Sequence, residues 1–287
     1  MRGRLPPWFN QKAADSESMA SMERLLGGLN LHTICESALC PNVTECFSRR
    51  TATFLILGNI CTRSCTFCAV KKGKPLPIDY KEPQHLVEAV GKLNLSYVVI
   101  TSVTRDDLPD GGVSQFVKVI NMLCQERGGG VIEVLVPDFL GSSEALRSIV
   151  KAQPDVINHN VETVPRLYPE VRPEADYSRS IKLLSMVKRL NPDIVTKSGL
   201  MLGLGETREE VLKVMEDLRE VNCNLLTIGQ YLQPSPGHYP VDRFVSPEEF
   251  SQYRDIGRDM GFVAVASAPL VRSSFKAAEL YRKIRSE

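Results

Sequence analysis

Cys61, Cys65 and Cys68 stand in C-x3-C-x2-C spacing, directly after the β-rich run 53–57 and the turn residues Gly58 and Asn59. Thiolates are soft ligands, and three at this spacing can each hold one iron of a [4Fe–4S] cluster. A cluster used for electron transfer alone takes four cysteines, so three leave one iron open to a chelating cosubstrate. A zinc site would show paired cysteines with a fourth ligand at recognisable spacing. A disulfide framework would need an oxidising compartment that nothing in the chain indicates. A second set, Cys35, Cys40 and Cys46, has C-x4-C-x5-C spacing and again offers three soft ligands. A second cluster is the economical reading, and its fourth ligand is not a nearby cysteine.

The open iron suits S-adenosylmethionine, whose amino and carboxylate groups fill it. Its sulfonium, given an electron from a low-potential cluster, breaks to leave a carbon radical. The other two of the eight cysteines, Cys124 and Cys223, read as buried core thiols. Cys124 falls on the apolar face of a helix over 114–125, and Cys223 precedes a strand. The run Met201-Leu202-Gly203-Leu204-Gly205-Glu206 fails the dinucleotide fingerprint because position 208 is Arg, and it lacks the Lys-Ser/Thr of a P-loop. Alone it is a tight turn.

These thiols need a scaffold, and the chain supplies one from residue 53 onward. Runs at 53–57, 97–101, 131–136, 155–158, 194–200 and 224–231 are short and rich in Val, Ile, Leu or Thr, and amphipathic helical stretches separate them. Thr207 with Glu210 forms a capping box for a helix over 208–220, and Ser246 with Pro247 and Glu249 opens another over 247–260. Six βα units imply parallel strands with right-handed crossovers, and the expected fold is an α/β partial (β/α)6 TIM-type barrel. Its cysteine loop then follows the first strand, on the C-terminal face where βα loops build active sites. Residues 1–50 form an N-terminal extension holding the second cysteine set and one short helical patch near Met19 to Leu26, and 51–261 form the barrel. Residues 262–287 form a C-terminal extension with a strand-like run from Phe262 to Ala266, then Pro269 and a basic helix.

Lys and Arg total 35 against 34 Asp and Glu, so a net charge of +1 supplies no broad basic field for nucleic acid. Aliphatic runs such as Phe54–Leu57 are strand-sized, far below the roughly 18 residues of a membrane span. With no secretory signal readable at the start, a cytoplasmic location is expected.

With both triads in view, the chain resembles the lipoyl synthase family of the radical S-adenosylmethionine superfamily, from about Trp8 to Ala277. The resemblance is carried by Cys35-Glu36-Ser37-Ala38-Leu39-Cys40-Pro41-Asn42, Ala52-Thr53-Phe54, Cys61-Thr62-Arg63-Ser64-Cys65, Thr101-Ser102-Val103-Thr104-Arg105-Asp106-Asp107-Leu108, His159-Asn160-Val161-Glu162-Thr163 and Lys197-Ser198-Gly199-Leu200-Met201. It implies a sulfurtransferase that inserts two sulfurs at C6 and C8 of an octanoyl chain on a carrier lysine, using two [4Fe–4S] clusters and S-adenosylmethionine. Cys61, Cys65 and Cys68 would bind the reducing cluster. Cys35, Cys40 and Cys46 would bind the auxiliary cluster that donates sulfur, with a serine from the family's Arg-Ser-Ser-Tyr motif, here Arg272-Ser273-Ser274-Phe275. Ser274 takes that role, with Ser273 as the fallback; read without the family, the two serines would cap a helix over 275–284.

The resemblance further implies that Phe67 packs near the adenine. Thr101, Asn160, Glu162, Lys197, Gln230 and Tyr231 are candidates for the methionine and ribose parts. His159 reads as a structural hydrogen-bond partner, and Arg105, Asp106 and Asp107 as a loop tie, a partner surface or a solvated turn. The implied partners are octanoylated lipoyl-carrier domains, namely E2 subunits of 2-oxoacid dehydrogenases and the glycine cleavage H protein, and a ferredoxin or flavodoxin reductant. A biotin synthase-like sulfur-inserting enzyme and a plain iron–sulfur electron carrier are the alternatives.

Overall fold

Short apolar strands alternating with amphipathic helices bury both faces of a sheet only when consecutive strands run parallel through helical crossovers. The computed structural model, which describes residues 5–10, 16–126 and 130–285, has this arrangement. Residues 1–4, 11–15 and 286–287 of the two extensions lie outside the described residues. The main sheet comprises β1 (His32–Thr33), β2 (Thr53–Ile56), β3 (Tyr97–Ser102), β4 (Val131–Leu135), β5 (Val156–Asn158), β6 (Val195–Leu202), β7 (Leu225–Gln230) and β8 (Ala264–Ser267), in chain order across the sheet. Only β1 is antiparallel to its neighbour. β2 to β7 are the six expected strands, displaced by at most two residues at either end. Both expected caps form: Thr207 and Glu210 bond reciprocally, and Ser246 accepts from the N–H of Glu249.

Three expectations change. The run from Phe262 to Ala266, expected in a separate extension, supplies β8, which pairs with β7 from Ala264↔Leu225 to Ser267↔Ile228. The helix Pro247–Asp259 makes the crossover, so this segment obeys the same βα rule as the units before it. The N-terminal extension holds helices Ser16–Gly28, Ile34–Ser37 and Val43–Ser48 in place of one helical patch. Cys223 is fully buried as expected, but Cys124, near the end of the helix Val113–Glu126, is only half-buried at the flank of its apolar face.

The sheet stays open between β1 and β8 among the described residues, and the two terminal segments meet across the opening. The Asn42 amide donates to the Leu270 carbonyl at 2.7 Å. Lys276 pairs with Glu45 at 3.4 Å, and Arg49 with Glu279 at 3.4 Å. Helix Ala277–Arg282 then plugs the far end of the barrel: Leu280 and Tyr281 pack on Val156, Val195, Leu225 and Ala264, the first residues of β5 to β8. Tyr281 also meets Tyr97, the first residue of β3, edge-on at 5.7 Å.

This strap crosses β7 where there is no side chain. A Cβ on Gly229 would lie 2.0 Å from the Val271 carbonyl oxygen, so only glycine admits the strap. Gly229→Ala is expected to cost about 1–3 kcal/mol, the range for overpacking, and to expose residues 268–276 to limited proteolysis. Denaturant unfolding with cleavage mapping checks both.

Candidate active site

A cavity of about 650 Å³ opens among the C-terminal strand ends, and all six cysteines of the two triads line it, none of them in a disulfide. The loop bearing Cys61, Cys65 and Cys68 turns its thiols and Phe67 inward because its other side chains are committed elsewhere. Thr62 bonds the Thr104 carbonyl through both N–H (3.1 Å) and Oγ1 (3.0 Å). The Ser64 hydroxyl and N–H both donate to Glu174. The Thr66 hydroxyl donates to the Glu170 carbonyl at 2.8 Å and its N–H to Val171 at 3.0 Å.

Arg63, between two of the cysteines, is the strongest of these anchors. Its guanidinium forks onto Asp106 at 2.7 and 3.1 Å and reaches Asp138 at 2.6 Å. Asp138 follows β4 and takes a further bond from Arg179 at 3.0 Å. Burial opposes ionisation of Asp138, but the hydrogen bonds and charge of Arg63, helped by Arg179, hold its carboxyl at about 2. Arg105 ties the neighbouring turn, donating to Asp107 at 2.8 and 2.9 Å and to the Leu57 carbonyl at 3.2 Å. Of the readings for the charged triplet, the structure has the loop tie. His159 is structural as expected: fully buried, it bridges the Val136 carbonyl (2.8 Å) and the Ser180 hydroxyl (3.0 Å), and burial pulls it down to about 4, so it is neutral.

The donor set suits polynuclear iron. A cubane takes one thiolate per iron at separate corners, and each triad brings three cysteines, none in a disulfide, to the cavity. Burial pushes the Cys35 thiol up to about 11 and Cys46 and Cys68 up to about 12. Cys40 and Cys65 are raised by burial too, but Arg272 favours the thiolate at Cys40 and Arg172 does so at Cys65. Each triad therefore has one cation beside it, Arg172 buried and Arg272 half-buried, and metal loading must displace protons.

Of the candidates for binding S-adenosylmethionine, Thr101, Asn160, Glu162, Tyr231 and Phe67 line the cavity. Glu162 sits in the left-handed region (φ 64°), where its carboxylate accepts from the Asn160 amide at 2.9 Å. Two candidates do not line the cavity. β6 runs from Val195 to Leu202, which places Lys197 near its start; there Lys197 is fully buried and bonds both oxygens of Glu133, at 2.8 and 3.0 Å. The Gln230 amide is spent holding the loop after β7, donating to Arg243 (3.0 Å) and accepting from the Val245 N–H (2.8 Å). The serines separate as well. Both line the cavity, but Ser273 Oγ donates to Asn160 Oδ1 at 2.8 Å, whereas the Ser274 hydroxyl is unpartnered among the described residues. Neither caps a helix, since Lys276 precedes Ala277–Arg282 with no side-chain cap.

Sequence reasoning missed Arg172 and named Arg272 only as the first residue of the serine motif, without a role. Arg172 lies against the cavity, donates to the Asn160 and Val161 carbonyls at 3.1 Å each, and leaves its buried Nε without a partner among the described residues. A lone arginine such as Arg172 carries no spacing signal, so only the fold could bring it to the thiols.

The Radical SAM superfamily matches this chain over residues 55–218. The chain is 58% identical over 277 residues to the lipoyl synthase of Caldanaerobacter subterraneus subsp. tengcongensis, which covers 96% of this chain and 97% of that protein. It is 51% identical over 280 residues to the lipoyl synthase of Alkaliphilus metalliredigens, covering 98% and 97%. Among solved structures, the FeFe-hydrogenase maturase from Carboxydothermus hydrogenoformans superposes with a TM-score of 0.58 at 12% identity, over 94% of this chain and 78% of that one. Methylornithine synthase superposes with a TM-score of 0.54 at 14% identity, over 84% and 69%. At such identities these two likenesses show the fold alone.

Asp138 supplies a test of the loop anchor. Its folded pKa lies below the unfolded value, so its contribution is complete above about pH 4 and lost as pH falls toward 2. Asp138→Asn is expected to cost about 2–3 kcal/mol at neutral pH. The gap to wild type should close between pH 4 and 2, read from unfolding curves across that range.

Proposed function

The chain belongs to the lipoyl synthase family of the radical S-adenosylmethionine superfamily, and from that premise we propose how its own residues divide the work. It is a sulfurtransferase that inserts two sulfur atoms at C6 and C8 of a protein-bound octanoyl-lysine, using S-adenosylmethionine and two [4Fe–4S] clusters. Its substrate is a lipoyl-carrier protein. When bound, S-adenosylmethionine at the reducing cluster supplies the 5′-deoxyadenosyl radical that takes hydrogen from C6 and then C8, and the auxiliary cluster supplies the sulfurs.

In our reading Cys61, Cys65 and Cys68 hold the reducing cluster, and Cys35, Cys40, Cys46 and Ser274 the auxiliary one. The observation that carries it is that both incomplete triads and the free Ser274 hydroxyl share one cavity. Phe67 forms an aromatic wall for the adenine. Arg172, which lines the cavity, would take the carboxylate, and Asn160 and Glu162 the amino and ribose groups. Leu55, Val99, Leu135 and Met201 line the same cavity with apolar surface, suited to an unbranched acyl chain and to excluding water. Holding chain and cofactor together in fixed orientation is the protein's share of the rate, since no side chain can break an unactivated C–H bond.

In the same reading residues 1–50 and 262–287 bring the auxiliary ligands, and 51–261 the radical chemistry. The carriers are E2 subunits of 2-oxoacid dehydrogenases and the glycine cleavage H protein, the reductant is a ferredoxin or flavodoxin, and the reaction takes place in the cytoplasm. A reducing compartment suits six ligand thiols kept out of disulfides.

Replacing Cys61, Cys65 or Cys68 by Ala is expected to abolish cleavage of S-adenosylmethionine. Cys40→Ala should spare cleavage and lose sulfur transfer, with iron content halved. Ser274→Ala should behave like Cys40→Ala, and Ser273→Ala should not. Mass spectrometry of an octanoyl-lysine peptide incubated with reductant and S-adenosylmethionine reads the result: two added sulfurs are required of wild type, and their absence would overturn the reading.

A further inference from the structure

Cleaving each S-adenosylmethionine takes one electron, which must enter while the cavity is filled. This inference rests on the functional reading above and concerns the entry point. Ile60–Cys61 pairs with Lys71–Lys72, in the register Cys61↔Lys72, and the Gly73 N–H donates to the Cys61 carbonyl at 3.0 Å. Cys61, Ala69 and Val70 line the cavity, but no residue from Lys71 to Lys81 does. The outer strand and the loop after it therefore touch the cysteine strand from outside.

That segment differs in charge from the rest of the chain. Lys71, Lys72, Lys74 and Lys81 are all exposed, against a single carboxylate, Asp79. Asp79 is occupied locally by the Lys81 N–H at 2.8 Å and the Asn30 amide at 3.4 Å. Lys71, Lys72 and Lys74 have no ion-pair partner among the described residues. Leu76 and Tyr80, 70% and 73% exposed, stand in the same segment and are the most exposed large apolar side chains described. Unpaired cations around exposed apolar side chains form a surface that an acidic partner complements, with the charges steering encounter and the apolar groups supplying contact.

We propose that Lys71–Lys81 is the docking site of an acidic one-electron carrier protein, which feeds the cluster through the strand of Cys61 and its hydrogen bond from Gly73. One electron leaves the carrier and one arrives at the cluster; the carrier is oxidised as the cluster is reduced, and no bond or proton is exchanged. The acyl-bearing substrate domain is the less suited occupant, because its lysine arm must enter a cavity that this segment does not line. Docking outside the cavity lets both proteins be bound in one turnover.

Carbodiimide cross-linking of the cluster-loaded chain to an acidic flavodoxin, read by peptide mass spectrometry, is expected to join flavodoxin carboxylates to Lys71, Lys72 or Lys74. In calorimetry at low salt, the triple variant Lys71→Glu, Lys72→Glu, Lys74→Glu should bind flavodoxin about tenfold more weakly, and added salt should shrink the difference. The matching Lys→Arg triple variant should bind as wild type does. Flavodoxin-driven formation of 5′-deoxyadenosine should fall with binding in the charge-reversed variant, while formation driven by reduced methyl viologen stays level.

Cross-links confined to other lysines, or unchanged flavodoxin binding by the charge-reversed variant, would overturn the docking site. So would a loss of affinity for an octanoylated carrier domain in place of flavodoxin, which would assign the patch to the substrate. A wild type unable to cleave S-adenosylmethionine with viologen would bring down the functional reading and the docking site with it.

Discussion

The buried contact of Arg63 with Asp138 is the constraint on which the site depends. A loop that presents three thiols to a cavity cannot also fold around them, so its fixed shape must come from the residues between the cysteines. Arg63 supplies most of it through three charge-assisted bonds to Asp106 and Asp138. Because Asp138 follows β4 and Asp106 follows β3, the cysteine loop after β2 is referenced to two further strands. A buried pair contributes little net stability once desolvation is counted, but losing one partner strands the other charge in the interior. Its value lies in fixing the loop's position before any metal arrives.

The open barrel follows from the same need for access. A sheet closed on itself would leave an interior filled by its own side chains. Here β1 and β8 remain edges, and the gap is spanned by a strap that carries the serines past Gly229 and ends in a plug beneath the strands. The strap is held firmly at its base by apolar packing of Leu280 and Tyr281. Its further ties to the N-terminal helices include exposed ion pairs of Glu45, Arg49, Lys276 and Glu279, each worth only a fraction of a kcal/mol.

Strand and helix periodicity, capping signals and cysteine spacing were legible in the chain because each is a local pattern. Strands β2 to β7 and both capped helices could be read to within two residues for that reason. β8 was visible as an apolar run, but its membership of the sheet depends on a pairing with β7 that no local pattern encodes. Lys197 and Gln230 looked like site residues from the motifs around them. Strand length decided the first, since five residues of β6 follow Lys197, and the second is consumed by the loop that folds back over β7. Arg172 was illegible for the opposite reason: isolated in sequence, it meets the thiols only through the fold, and Arg272, though part of the serine motif, gave no sign there of its place beside Cys40.

The choice of ligands can be argued one step further from the serines. Six thiolates crowded into one cavity would repel one another, and buried Arg172 and half-buried Arg272 offset part of that charge at Cys65 and Cys40. A hydroxyl adds less charge than a seventh thiol and binds iron more weakly than sulfur does. Both serines line the cavity; Ser273 ties the strap to Asn160, whereas the Ser274 hydroxyl has no partner among the described residues. In the proposed ligand set the serine would be the weakest donor, and so the ligand best able to leave when a cluster must give up sulfur.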